Sequence, residues 1–189
     1  VEDLKQRRKR ANANWWKVKN QLKHSKLTKK TQAKVVEACV ESALLFDCQA
    51  RAWWNREIKQ LQSFMDRCYR HVYCNKREPP LIQMQREGIN SQDIRTKLNI
   101  TSIRTKIEKR VLERIGHVTR MPEERQTKQV IMGWMEELEK WKKAPGKKKK
   151  TVLYWKRIVR EAGVDWTDIN AEASDRDNWR SVVRRRTDH

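Results

Sequence analysis

Three sets of residues in this 189-residue chain have types and spacings that could do chemistry. Cys68, His71 and Cys74 stand at i, i+3 and i+6 of one helical pattern, with His24, Cys39 and Cys48 elsewhere. Thiols and imidazoles in this number raise zinc. Structural zinc, however, takes four ligands in a tetrahedron, usually from CxxC-like loops. The chain has four cysteines and no CxxC pair. Cys39 and Cys68 fall on apolar stripes and read as small hydrophobes, which suits a reducing compartment. The second set is the pair Gly116-His117. No Ser or Cys nucleophile stands near it in sequence, so packing or phosphate contact is the simpler role for His117. Polymerase-type chemistry would need paired aspartates holding two metal ions, and no Asp-Asp pair occurs. The expectation is a chain that is not an enzyme, with no catalytic residue, no metal and no cofactor.

The third set neutralises phosphate. Forty-five Lys and Arg against 24 Asp and Glu give a net charge of +21. Such self-repulsion opposes compaction unless a polyanion offsets it, and nucleic acid is the default partner. An anionic membrane surface is the rival, though no segment is apolar enough to span a bilayer. The cations come in runs. Lys5, Arg7, Arg8, Lys9 and Arg10 lead the chain; Lys29 and Lys30 follow; Arg104, Lys106 and Arg110 lie further on, with His117 and Arg120 beyond. Lys147, Lys148, Lys149 and Lys150 form one block, with Arg157 after it, and Arg184, Arg185 and Arg186 close the series. Isolated runs are usually solvated faces. Here the overall charge and the interleaved aromatics favour RNA-binding roles for all of these residues. They would position a backbone rather than read bases, with affinity falling steeply in salt. An A-form RNA helix is recognised largely in this way. The acidic cluster Glu136, Glu137 and Glu139 is most simply a solvated face paired with Lys140 and Lys143.

Nine tryptophans set the elements that must position these charges. Apolar residues make up 37% of the chain and charged residues 37%, against the usual 45–50% and about 25%. Disorder would follow from that alone, but large indoles bury too much surface for it. Trp134, Trp141, Trp155 and Trp179 fall on apolar helix faces and read mostly as core. In Trp15-Trp16 and Trp53-Trp54, neighbours on a helix point about 100° apart, so both cannot face inward. All four are candidates for base stacking, one from each pair.

The periodicity predicts helices throughout and an all-α fold. Residues 2–27 make a long basic helix. Thr28 caps the next, whose stripe is Val35, Val36, Cys39, Val40, Ala43, Leu44 and Phe46. Trp53-Trp54 marks a corner before a third helix with Ile58, Leu61, Phe64, Met65, Cys68 and Val72. This gives a small helical bundle over 1–75. Two prolines and a closing glycine make 76–90 a linker. A basic helical region then occupies 91–189. Ser91 caps its first helix, and the next carries Ile103, Ile107, Val111, Ile115 and Val118 and ends at Met121-Pro122. Another stops at Pro145-Gly146. A helix over 151–161 is broken by Gly163, and the last is capped by Ser174 or Asp175. No strand alternation, heptad or short repeat is present.

The order of these pieces carries a resemblance. "KLTKKTQAKVVEACVESALLFDCQARAWW" resembles the thumb region of LINE-type (non-LTR) retrotransposon reverse transcriptases. There a similar helix leads to a Tyr-Gly-x-x-x-Trp corner, here replaced by Phe46-Asp47 with Trp53 or Trp54. "LQSFMDRCYRHVY" is similar to the following helix, with Phe64, Arg67-Cys68 and Arg70 at the family's Phe, Arg-Cys and Arg. Gly116-His117, Arg120-Met121-Pro122 and Lys128 match a Gly-His, Arg-Met-Pro and Lys series. "PGKKKKTVLYWKRIV" is similar to the family's glycine, basic run and Arg-Trp, and Asp175, Arg176, Trp179 and Arg180 match its terminal Asp-Arg-x-x-Trp-Arg. The likeness spans nearly the whole chain, without the Tyr-Gly corner, a Cys/His knuckle or a palm. It implies a reverse transcriptase tail without the enzyme. The expectation is a non-catalytic RNA-binding protein of this origin, a structural part of a ribonucleoprotein. A mitochondrial ribosome, with rRNA and neighbouring proteins as partners, is the favoured host, and a nuclear location is the alternative. The rival is a thumb and C-terminal fragment of an active reverse transcriptase gripping a template-primer duplex; a DNA-binding or chromatin module is third. The first residue is Val1 and no secretory leader pattern is visible, which reads as a processed or partial product.

Overall fold

Leu4, Ala11, Trp15, Val18 and Leu22 recur one or two turns apart, and all five are buried along α1 (Glu2–His24). The computed structural model describes residues 2–74, 79–136 and 147–187, with the side chains of 23, 134–136, 147–149 and 187 excepted. α2 (Lys29–Val36) begins where expected, with the Thr28 hydroxyl accepting from the Thr31 amide at 3.2 Å.

The next stretch departs from the expected stripe. Glu37–Glu41 forms a π-type turn before α3 (Ser42–Leu44), with the Ser42 amide donating to the Glu37 carbonyl five residues back. The wider turn lengthens the repeat. Ala33, Val36, Val40 and Leu44 are buried, while Cys39 and Phe46, expected on the apolar stripe, are exposed. The same turn brings Glu41 inside, where the Tyr69 hydroxyl donates to its Oε2 at 3.0 Å. On α4 (Asn55–Tyr73) the expected stripe is buried throughout, and Tyr69 joins it.

The expected linker does not divide the chain. Pro80 opens α5 (Pro80–Glu87), and Gly88 ends it at φ 63°, the left-handed geometry glycine adopts without strain. Asn90, not Ser91, caps α6 (Ser91–Leu98). Its Oδ1 accepts from the amides of Gln92 and Asp93 at 2.7 and 3.1 Å, and Asp93 accepts from the Asn90 amide at 2.7 Å. Arg95 then bonds the buried Asp66 of α4 at 2.6 Å, and the Ile103 amide donates to Gln62 at 2.8 Å. These ties keep 79–104 with the first helices. One unit therefore combines 1–46 with 54–104, and the other 47–53 with 105–189. The boundary falls after Arg104, and the prolines begin a helix where a spacer was expected.

The second unit takes in most of α7 (Ile103–Thr119), then α8 (Gln126–Glu136), α9 (Lys147–Glu161), α10 (Ile169–Ser174) and α11 (Arg176–Thr187). Ile107, Val111, Ile115 and Val118 are buried, together with Val152, Trp155, Ile158, Val159, Trp179 and Val182. In this unit three buried indole N–H groups find carbonyls: Trp53 donates to Cys48 at 2.6 Å, Trp155 to Gln49 at 3.2 Å and Trp179 to Leu112 at 2.9 Å. Asp175 caps α11, accepting from the amides of Asp177 and Asn178 at 2.8 and 3.1 Å. Those two bonds hold its carboxyl below the usual range. Among the described residues there is no strand, and the fold is all-α.

Two of the motifs quoted above meet in this unit. A Cβ on Gly116 would lie 2.3 Å from Cδ1 and Nε1 of Trp179, so the indole packs directly on bare helix backbone. Alanine favours helix over glycine by ~1 kcal/mol. The overpacking cost of ~1–3 kcal/mol meets or exceeds that gain, because a buried ring cannot swing aside. Gly116→Ala is expected to lower stability, with a lower midpoint in urea unfolding; an unchanged or higher midpoint would show that the interface has slack.

Candidate nucleic-acid interface

On α4, Arg56, Lys59, Ser63 and Arg67 stand three, four and four residues apart, which puts them on one face. The buried stripe takes up the other side of the same helix. Arg8 of α1 faces this row, and with Asn55, Gln60 and Phe64 the residues line a groove of about 540 Å³. Four of the eight lining residues are cations and none is a carboxylate. Arg67 lies over the Phe64 ring, 5.2 Å from its centroid, which braces the guanidinium against an apolar surface. Successive turns of the row rise by about 5.4 Å, close to the separation of neighbouring phosphates on a strand. Further along α4, His71 packs its ring on Trp15, with centroids 5.8 Å apart. Burial lowers its pKa, and Lys19, Arg67 and Arg70 push the same way, so the imidazole is neutral near pH 7 and leaves the field to the permanent cations.

The structure sorts the expected contacts. In the first unit Lys5, Arg8, Lys9, Arg10 and Lys30 are exposed, and Arg8 lines the groove. In the second, His117, Lys150, Arg184 and Arg185 are exposed and Lys106 is half-buried. Several others are tied into the fold. Arg7 Nε bonds both Asp3 oxygens at 3.0 and 2.8 Å, and its Nη1 donates to the Phe46 carbonyl. Lys29 donates to the Tyr73 carbonyl and lies 4.7 Å from that ring's centroid. Arg104 bonds Asn55 at 2.8 Å, Arg110 contacts the Cys48 sulfur at 3.9 Å, and Arg120 donates to the Ala173 carbonyl at 2.6 Å. Arg186 bridges Glu108 at 2.8 Å and Glu161 at 3.0 Å, and Arg157 lies 3.6 Å from Glu161. Each of these cations is thus engaged by a group of the fold itself. The side chains of Lys147, Lys148 and Lys149 lie outside the described residues; their backbone opens α9.

Each tryptophan pair divides into one buried and one exposed ring, Trp15-Trp16 by rotation along α1 and Trp53-Trp54 on the extended backbone that precedes α4. Trp15 is 4% exposed and Trp53 3%, so neither is a stacking platform; packing claims both rings. Trp16 and Trp54 are the outward partners at 54% and 62%. Trp155 and Trp179 are core, while the Trp134 and Trp141 side chains fall outside the described residues. Arg56, Lys59 and Arg67 did not figure among the expected contacts, because attention to contiguous runs passes over cations spaced along a helix. Their three- and four-residue intervals were the available signal. Among the described residues no group of three or more His, Cys, Asp or Glu is placed to hold a metal ion.

No known protein family, curated protein or solved structure matches the chain. The interface is therefore read from its own geometry.

The cysteines supply a check on the placement. Cys48, Cys68 and Cys74 are buried and Cys39 is exposed. Burial pushes the Cys68 thiol from its ordinary 9.0 up to about 12. In the native protein one thiol is expected to react promptly with a disulfide reagent, the remaining three only on unfolding. Because the unfolded thiol ionises near 9.0 and the folded one only near 12, stability should fall as pH rises through that window. Urea unfolding from pH 8 upward, with Cys68→Ala flattening the decline, checks the sign.

Proposed function

We propose that this chain is a non-catalytic RNA-binding protein that holds RNA by its phosphates in the groove between α1 and α4. The observation that carries the reading is the acid-free row of Arg8, Arg56, Lys59 and Arg67 along one helical groove. In a chain with 24 acidic residues, a groove of this size lined by four cations and no carboxylate is a selective omission. Asn55, Gln60 and Ser63 add neutral hydrogen-bonding groups that suit phosphate and sugar oxygens. The net charge of +21 adds a long-range attraction for any polyanion and raises the encounter rate.

The reverse transcriptase thumb resemblance fits the same reading, since gripping a nucleic acid backbone is a thumb's work. A structural place in a ribonucleoprotein, with a mitochondrial ribosome as the favoured host, is part of the proposal. Cosedimentation of the native protein with ribosomal particles tests that part.

Binding of the full chain to RNA should weaken steeply with salt. Each phosphate contact removed lowers the log–log slope by about 0.7–0.9. Lys59→Ala with Arg67→Ala is therefore expected to reduce the slope by about 1.4–1.8 and to weaken binding across unrelated RNA sequences. Both residues are exposed, so the fold should survive. An unchanged slope would remove the groove from the interface. Absence of RNA binding by the wild-type chain at low salt would end the proposal, and tighter binding to an equal length of DNA would redirect it.

A further inference from the structure

From residue 4 to residue 36 the chain holds 12 Lys and Arg and no Asp or Glu, although 24 acids are spread outside that run. α1 carries most of it. The apolar side of α1, with Leu4, Ala11, Trp15, Val18 and Leu22, is buried in the fold. Away from that side, Lys5, Lys9, Asn12, Trp16 and Asn20 follow at three- and four-residue intervals, so they share one face. Asn12 is half-buried and the other four are exposed. The Trp16 ring is 54% exposed, and Lys19 Nζ stands 4.7 Å from its centroid, over one face of the indole. The ring therefore sits among cations with more than half its surface in water. Arg8, which lines the groove, neighbours Lys9 on the helix, so this face borders the groove along α1.

A flat apolar ring among cations suits a ligand that carries anions and flat rings together. An unpaired RNA strand does so: its phosphates meet the ammonium groups, and a base lies on the indole. A duplex offers the phosphates alone, since its bases are already stacked on one another. An anionic bilayer is a poorer match. A helix lying on a membrane sinks a broad apolar face into it, and the apolar face of α1 is spent on the fold. We infer that the outer face of α1 takes a single-stranded RNA segment, with phosphates on Lys5, Lys9 and Lys19 and one base stacked on Trp16. This inference rests on the proposed RNA-binding role and narrows its substrate to RNA with an unpaired stretch. Every base has a flat face, so the stack at Trp16 is indifferent to base identity.

The test compares the full chain with its Trp16→Ala and Trp16→Phe variants, whose fold should survive because the ring is exposed. Each is titrated at one salt concentration against an unstructured single-stranded RNA, a blunt RNA duplex of the same length, and phosphatidylcholine vesicles containing phosphatidylserine. Loss of one base stack weakens binding by about 5- to 150-fold. The expected result is a loss of that size on the single strand for Trp16→Ala, little change on the duplex, and substantial recovery with Trp16→Phe. Unchanged single-strand affinity in Trp16→Ala, or an equal loss on both RNAs, overturns the stacking inference, and so does a loss confined to the vesicles. If the Lys59→Ala, Arg67→Ala variant still weakens RNA binding in that case, the phosphate role of the groove stands without it. If the wild-type protein binds neither RNA, both proposals fail together.

Discussion

Excess positive charge is the constraint on which the remainder of this structure depends. With 45 cationic and 24 acidic side chains, acids are the scarcer charge, and every carboxylate placed in the interior must satisfy a donor there. Glu108, 2% exposed, meets Arg186, and Asp66 meets Arg95 across two helices of the first unit. Glu41 takes the Tyr69 hydroxyl. A buried ion pair adds little net stability, but removing one partner leaves an uncompensated charge inside. The acids therefore specify which helices meet rather than how tightly they are held. The groove between α1 and α4, by contrast, is lined by cations without a single acid.

Indoles meet the second demand, which is to make cores from a chain poor in apolar residues. Trp53, Trp155 and Trp179 are almost fully buried in the second unit, and each spends its N–H on a backbone carbonyl. One large ring covers the area of several aliphatic residues, and its hydrogen bond fixes the ring's direction. Gly116 shows how close the fit is, since the Trp179 ring rests where a Cβ would stand. The adjacent pairs turn the same economy to another use. Trp15 and Trp53 pack inward, while Trp16 is turned outward by rotation along α1 and Trp54 by the extended backbone ahead of α4.

What local pattern could and could not disclose follows from the range of the forces involved. The α4 stripe, the Thr28 cap, the stop at Met121-Pro122 and the all-α class were legible, because each depends on residues within a turn or two of one another. Cys39 and Phe46 were misplaced because the π-type turn at Glu37–Glu41 changes the period inside what reads as a regular helix. The stretch 76–90 reads as a linker because proline stops helices as readily as it starts them. Pairing of Arg95 with Asp66, 29 residues away in the chain, binds 79–104 to the first unit.

The amino-acid sequence by itself determined the helical class, the positive charge and the rule that Trp15 and Trp16, neighbours on one helix, cannot both face inward. All three follow from composition and the 3.6-residue period alone. Only the tertiary structure decided which of the two faces out, which arginines are consumed by carboxylates and carbonyls, and which cations line up across two helices. Arg7 and Arg8 make the distinction plain. They are the same residue type at neighbouring positions, yet Arg7 is held by Asp3 and the Phe46 carbonyl, while Arg8 lines the groove. A rotation of about 100° between neighbours separates the two roles, and the direction in which each faces is set by helices distant in sequence.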